Sequence, residues 1–426
     1  MNTFIILITI LSTIEGLEIL GIPISKILLI ILTLILALRN IGNIKKVKVT
    51  NLLIFYFFTV ISGLISLGRN YDYDYRGIVL SFIVQVIIIY IPLLLLIYND
   101  KYKYHYYRSF IKGIQISVFI HAIWGIMQMV LYAFANFDLN KWLFADILGM
   151  NMERGWSLFY YTGSTHLLRM SGLNFEPAMF ALILCIGIFI EKRKGLKVFY
   201  TILIAISLSR TGLVMCIVTY FLKFISEKKY ILTYKFYKSF IIYLVIIFTI
   251  FFIVMKNDSL NYQVKTFVNR FNFKSQEIME DGTGRHMKYY PRGVEISLFR
   301  SDVFETLFGY GPRISGIAFN ENKDIADELH ISSNKNMAFK AWTVESDNIA
   351  ILLGHGLIGL LFYWMSLYSA IKRNKDLKYI FISIMVGGIM YHFYSITLIN
   401  IILIFSTIGE DKSHEHKGIK ANMSKE

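Results

Sequence analysis

The residues of this sequence best suited to chemistry are arginines set beside glycine, serine and threonine. Four patterns carry them. Arg169-Met170-Ser171-Gly172-Leu173-Asn174-Phe175-Glu176-Pro177 is the first and Ser209-Arg210-Thr211-Gly212 the second. The third is Gly282-Thr283-Gly284-Arg285, followed by Phe308-Gly309-Tyr310-Gly311-Pro312, and the fourth runs from Glu345-Ser346-Asp347-Asn348 to Gly356-Leu357-Ile358-Gly359. A guanidinium is a planar fork that binds phosphate oxygens in pairs. Glycine-rich turns expose backbone N–H groups that hold anions. Together these residue types point to a phosphorylated or pyrophosphorylated ligand.

The elements that must position them are membrane spans. Hydrophobic residues make up 55% of the 426 and formally charged residues only 17%, with a mean hydropathy of +0.54. Soluble domains carry roughly a quarter charged residues, so a soluble globular protein is excluded. The net charge of +15 comes from short basic clusters between apolar runs, which argues against a nucleic-acid groove. Cys185 and Cys216 both lie in apolar runs, so neither a disulfide framework nor a cysteine zinc site is available. Apolar runs long enough to cross hydrocarbon predict an all-α polytopic bundle of about twelve transmembrane helices. They fall near 4–20, 25–38, 51–68, 78–98, 110–134, 174–190, 197–209, 211–225, 240–255, 347–370, 378–392 and 394–409. The first lacks a basic leader and a small-residue cleavage site, and so reads as an uncleaved anchor.

Lysine-rich connections such as Lys45-Lys46 with Lys48, Lys192-Arg193-Lys194 and Lys228-Lys229 all fall in even-numbered gaps, which places both termini and the 410–426 tail in the cytoplasm. The other side holds external segments 135–173 and 256–346, the larger ahead of the antepenultimate span. Its aromatic content predicts short helices folded against the membrane domain. Ten of the fourteen arginines fall on that side, Arg154, Arg169, Arg210, Arg270, Arg285, Arg292, Arg300 and Arg313 among them, whereas most lysines do not.

Simpler readings exist for each pattern. Glu176-Pro177 is a good helix start, with proline in the first turn and a carboxylate near the positive end. Arg210 can reach the external interface by snorkelling, although that does not require the hydroxyls and glycine around it. Glycine turns are common, and Ser346-Asp347 with Gly356 and Gly359 can be a helix cap with packing glycines. A metal-dependent sugar transferase would use paired carboxylates such as Asp72 and Asp74. A transporter would use intramembrane Glu15, Glu18, His121, His355 or His392.

In their order along the chain, these patterns resemble the O-antigen polymerase and O-antigen ligase superfamily over roughly residues 165–365. The family places histidine then Asn, Ser or Gln ahead of Gly-x-x-Gly; here Glu345-Ser346 and nine intervening residues precede Gly356. The resemblance implies glycan transfer from a polyprenyl pyrophosphate carrier to an acceptor hydroxyl on the outer face of the bacterial cytoplasmic membrane, independent of metal and without a cofactor. It implies Arg210 and Arg285 as catalytic residues on the pyrophosphate and Glu345 as general base, with His286 and His330 as substitutes. Arg169, Glu176, Arg270, Arg292 and Arg313 are implied in substrate binding. The partners would be the lipid-linked oligosaccharide, membrane lipids and a chain-length regulator protein, with no nucleic acid. Glutamate in the histidine's place weighs against the ligase. A lipid-linked oligosaccharide flippase is the non-enzymatic alternative.

Overall fold

The computed structural model describes residues 1–14, 17–19, 22–40, 50–69, 73–148, 159–162, 165–174, 176–207, 209–227, 285–328, 346–374 and 377–408. Within them the fold is all-α apart from two short antiparallel hairpins, Glu18–Ile19 with Ile22–Pro23 and Phe159–Thr162 with Thr165–Leu168. The helices of the first half are α1 (Asn2–Ser12), α2 (Ile24–Arg39), α3 (Asn51–Leu67), α4 (Tyr73–Gln85), α5 (Ile91–Asn99) and α6 (Lys103–Ala135). A π-helical stretch, Val86–Tyr90, makes α4 and α5 one rod.

Then come α7 (Pro177–Ile190), α8 (Lys194–Ile206) and α9 (Arg210–Glu227). Within 285–328 lie α10 (Arg285–Glu295), α11 (Val303–Phe308), α12 (Ile317–Glu321) and α13 (Lys323–Glu328). The last three are α14 (Asp347–Arg373), α15 (Lys378–Met390) and α16 (Thr397–Ser406).

Each predicted span inside the described residues contains a helix; the one near 240–255 lies outside them, as does the 410–426 tail. Three helices are long and apolar enough to cross a membrane by length and composition: Arg76–Asn99, Lys103–Ala135 and Asp347–Arg373. The first span differs from its prediction. Helix α1 stops at Ser12, where the Ser12 and Thr13 hydroxyls turn back onto the Thr9 and Ile10 carbonyls, and Glu18–Ile19 beyond it pairs as a strand with Ile22–Pro23.

Helix α7 has no polar face and is buried on every side, from Met179 to Ile188. Only the interior suits such a helix. Against it pack α6, α9 and α15, with Gly187 meeting Val118 and Gly212 meeting Ala181. Around this centre, α2, α3, α6 and α9 turn large apolar side chains outward, Leu38, Leu64, Phe134 and Ile217 among them. That belt exceeds the scattered apolar exposure of a soluble protein.

Helix α14 is interrupted. Gly356 adopts φ 68° and ψ −174°, a conformation that glycine tolerates and L-residues avoid. Two carbonyls just before the break find partners elsewhere: Tyr310 donates its N–H to Leu353 at 2.7 Å and Gly311 to Gly354 at 3.0 Å. The Ser62 hydroxyl on α3 lies 2.5 Å from the Phe308 carbonyl and 3.1 Å from that of Gly354. Irregular backbone inside an apolar bundle persists only when it is satisfied in this way. The rest of 285–328 follows, with Ile296, Tyr310, Ile314 and Phe319 buried in one cluster with Val79 and Ile83 of α4 and Ile349 and Leu352 of α14. The predicted short helices thus dock on the bundle over this stretch.

Candidate functional site

The segment before α7 is held by Gln128 of α6 and by Asn140 just beyond that helix. Gln128 and Asn140 hold Ser171, and Asn140 also donates to the Gly172 carbonyl at 2.9 Å. Gly172 has φ 59°, and a Cβ there would lie 2.6 Å from the Phe180 ring. This seats half-buried Arg169 and leads to Glu176, the residue capping α7, which accepts a hydrogen bond from the Tyr391 hydroxyl. Arg210 opens α9, with the Ser209 hydroxyl accepting the Gly212 N–H at 3.1 Å. Because Gly212 lies against Ala181, Arg210 and Glu176 stand at the same end of the α7–α9 pair.

The start of α14 joins this end through the α15–α16 connection. The Asp347 N–H donates to the Tyr391 carbonyl at 3.3 Å, and the Ser346 hydroxyl to the Gly388 carbonyl at 3.2 Å. The Asp347 carboxylate, 1% exposed, accepts the N–H groups of Phe393 at 2.6 Å and Tyr394 at 2.8 Å, with the Tyr363 hydroxyl at 3.3 Å. A buried carboxylate needs such donors. His392 stands beside it, Nδ1 3.9 Å from Asp347 Oδ1 and Nε2 2.9 Å from Ser395 Oγ. The Arg313 N–H donates to the Tyr394 hydroxyl at 3.4 Å, and its guanidinium lies over the Phe82 ring at 5.9 Å. Arg313 has a left-handed backbone, φ 64°, just after the glycine turn.

The geometry therefore gathers Glu176, Arg210 and Arg313 around the ends of α7, α9, α14 and α15, with Arg169 on the segment leading into α7. Arg292 stands apart in an ion-pair network. It binds Glu295 and Glu328, each at 2.5 Å, while Arg300 binds Glu295 at 2.7 Å and Asp324 at 2.6 Å. Hydrogen bonds from Arg292 and then Arg300 hold the Glu295 carboxyl below the ordinary carboxylate range, and Arg300 does the same to Asp324. A phosphate would have to displace two carboxylates from Arg292, so its implied role in substrate binding meets direct competition. Glu345, Arg154, Arg270 and His330 lie outside the described residues, as do Glu15 and Asp72. For Arg285, His286 and Asp74 only the backbone is described.

Among the transporter candidates, His121 is a satisfied packing residue that bonds Thr13 at 3.1 Å and the Leu173 N–H at 3.3 Å. His355, just before the helix break, is fully buried between Phe55 and Tyr394, and neither ring nitrogen has a hydrogen-bond partner among the described residues. No group of three or more metal-ligating side chains occurs among the described residues. An open cleft of about 400 Å³ lies at the opposite end of α6, lined by Arg39, Tyr102, His105 and Tyr106.

Sequence motifs flagged some of this site and missed the rest. Asp347 was visible within the fourth pattern, and His392 only as an intramembrane histidine. Tyr391, Tyr394 and Ser395 escaped notice, although a run of hydroxyls and imidazole between two apolar spans was the available signal. Compared with known protein families and with curated proteins, the sequence matches none.

Proposed function

We propose that this chain is a membrane-embedded glycosyltransferase that lengthens a bacterial surface polysaccharide. It would move the growing glycan from its polyprenyl pyrophosphate carrier onto an acceptor repeat unit on the same kind of carrier. In this reading the chain crosses the cytoplasmic membrane about twelve times with both termini inside, and the Glu176–Arg210–Asp347 end faces outward. The leaving group is an anionic diphosphate, so preorganised cations accelerate its departure. Arg210 and Arg313 supply them from the described residues, joined by Arg169 and, by resemblance, Arg285.

One observation supports this above the others. The Gly309-Tyr310-Gly311 turn is seated by backbone hydrogen bonds on the broken helix at Leu353-Gly354. Two of the four patterns that carry the resemblance are thus joined directly, with Arg313 just after the turn and Asp347 at the start of the helix. The test is the lipid-linked glycan profile of a deletion strain. Loss of the polymer ladder with single repeat units still at the cell surface supports a polymerase.

A lipid-linked oligosaccharide transporter is the second reading, favoured by buried His355 at a helix break, since transporters place polar groups at interrupted spans. In that case the deletion leaves no repeat units at the surface.

A further inference from the structure

The acceptor hydroxyl must lose a proton as it attacks. Glu345 holds that role only by resemblance, and the described residues contain another arrangement built for it. His392 stands between Ser395 and Asp347, one ring nitrogen toward each: hydroxyl, imidazole, carboxylate. Ser395 Oγ is 2.9 Å from His392 Nε2, and His392 Nδ1 is 3.9 Å from Asp347 Oδ1. That Nδ1 is buried and has no hydrogen-bond partner among the described residues. The side chain of His392 keeps 14% exposure, whereas that of Asp347 has 1%.

From this geometry, and resting on the proposed glycosyl transfer, we infer that His392 is the general base and Asp347 its positioning residue. Ser395 Oγ occupies the place that the acceptor hydroxyl takes. The carboxylate's aim is fixed by the Phe393 and Tyr394 N–H groups, which belong to the same connection as His392, so base and orienter are tied to one segment. An Nδ1–H tautomer facing Asp347 leaves Nε2 free to accept a proton, the division of labour in a serine–histidine–aspartate relay. The 3.9 Å gap closes when the ring carries charge, since catalytic hydrogen bonds tighten in the reacting complex.

The step balances. The acceptor O–H proton passes to His392 Nε2 as its oxygen bonds to the anomeric carbon. The bond from that carbon to the diphosphate oxygen breaks, and the electron pair leaves with the carrier. The imidazolium, stabilised by Asp347, then returns the proton to the diphosphate or to water.

The test uses the full chain. Membranes of a deletion strain hold the cell's own lipid-linked single repeat units, and adding purified full-length protein to them starts polymer formation. His392→Gln and Asp347→Asn should each slow the rate on the order of 100-fold or more, and the double variant should be no slower than His392→Gln alone, because the two act as one unit. Ser395→Ala should stay within a few-fold of wild type.

A pH profile separates catalysis from structure. Titratable or charged groups near His392 are Asp347, Tyr363 and His355 from α14, Arg313 from the glycine turn, and Tyr391 and Tyr394 from its own connection. The acid limb of wild type should vanish in His392→Gln. A normal rate from His392→Gln, or its slowing with the acid limb intact, overturns the assignment. So does its loss of a thermal unfolding transition, which would make the ring structural. If His392→Gln fails these tests while Arg210→Lys still abolishes polymer, only the base assignment falls. If wild-type protein makes no polymer, the proposed function falls and takes this with it.

Discussion

Tyr310 donates its backbone N–H to the carbonyl of Leu353 across 2.7 Å, and that bond seats a glycine turn in the break of helix α14. Its neighbour Gly311 does the same for Gly354 at 3.0 Å. The break is thus a satisfied feature of the fold.

Gly356→Ala should be destabilising for two reasons. Its φ of 68° disfavours any Cβ, and a Cβ there would lie 2.3 Å from the Leu307 carbonyl carbon. Thermal unfolding in detergent should show a loss of about 1–3 kcal/mol or more. Stability equal to wild type would mean that the helix is continuous at this point.

Ser62→Ala should cost less. It removes a hydroxyl that bonds the Phe308 and Gly354 carbonyls, but the Gly311 N–H still serves Gly354. A loss of about 1 kcal/mol in the same unfolding measurement follows from the usual net value of one hydrogen bond.

Much of this arrangement could not be read from the residues alone. Gly309 and Gly311 were recognisable as a glycine turn and Gly356 only as a small residue for helix contact within an unbroken span, while Ser209-Arg210 marked the boundary between two short helices because serine caps and small turns have local signatures. Which glycine turn meets which helix depends on tertiary contact and leaves no local trace. The Asp347–His392 approach is of the same kind, since it joins separate helices through the end of α15. Hydrophobicity extends the first span to residue 20, through Glu18 and Ile19, yet the Ser12 and Thr13 hydroxyls end the helix first.

Acid should weaken the turn between α7 and α8. The Arg193 guanidinium, with the Arg193 and Lys192 N–H groups, pulls the Glu191 carboxyl from its ordinary 4.5 down to about 2. A depressed folded value means that the contribution is present above pH 4.5 and is lost as pH falls toward 2. Since Arg193 is largely exposed, solvent screens the pair and the contribution is small. Glu191→Gln should flatten the pH dependence of unfolding in that window; an unchanged slope would deny the interaction.

Arg292 and Arg210 should behave differently although both were drawn from the same arginine-rich side. With Arg292 held by two carboxylates, Arg292→Lys should leave polymer length near normal. Glycan gel profiles showing loss with Arg292→Lys would return it to the substrate.

The central claim, diphosphate departure assisted by Arg210 at an outward-facing site, is tested most directly by the surface glycan of a deletion strain complemented with Arg210→Lys. The account predicts wild-type amounts of protein in the membrane, single repeat units at the surface and no ladder. A full ladder from that strain would contradict it.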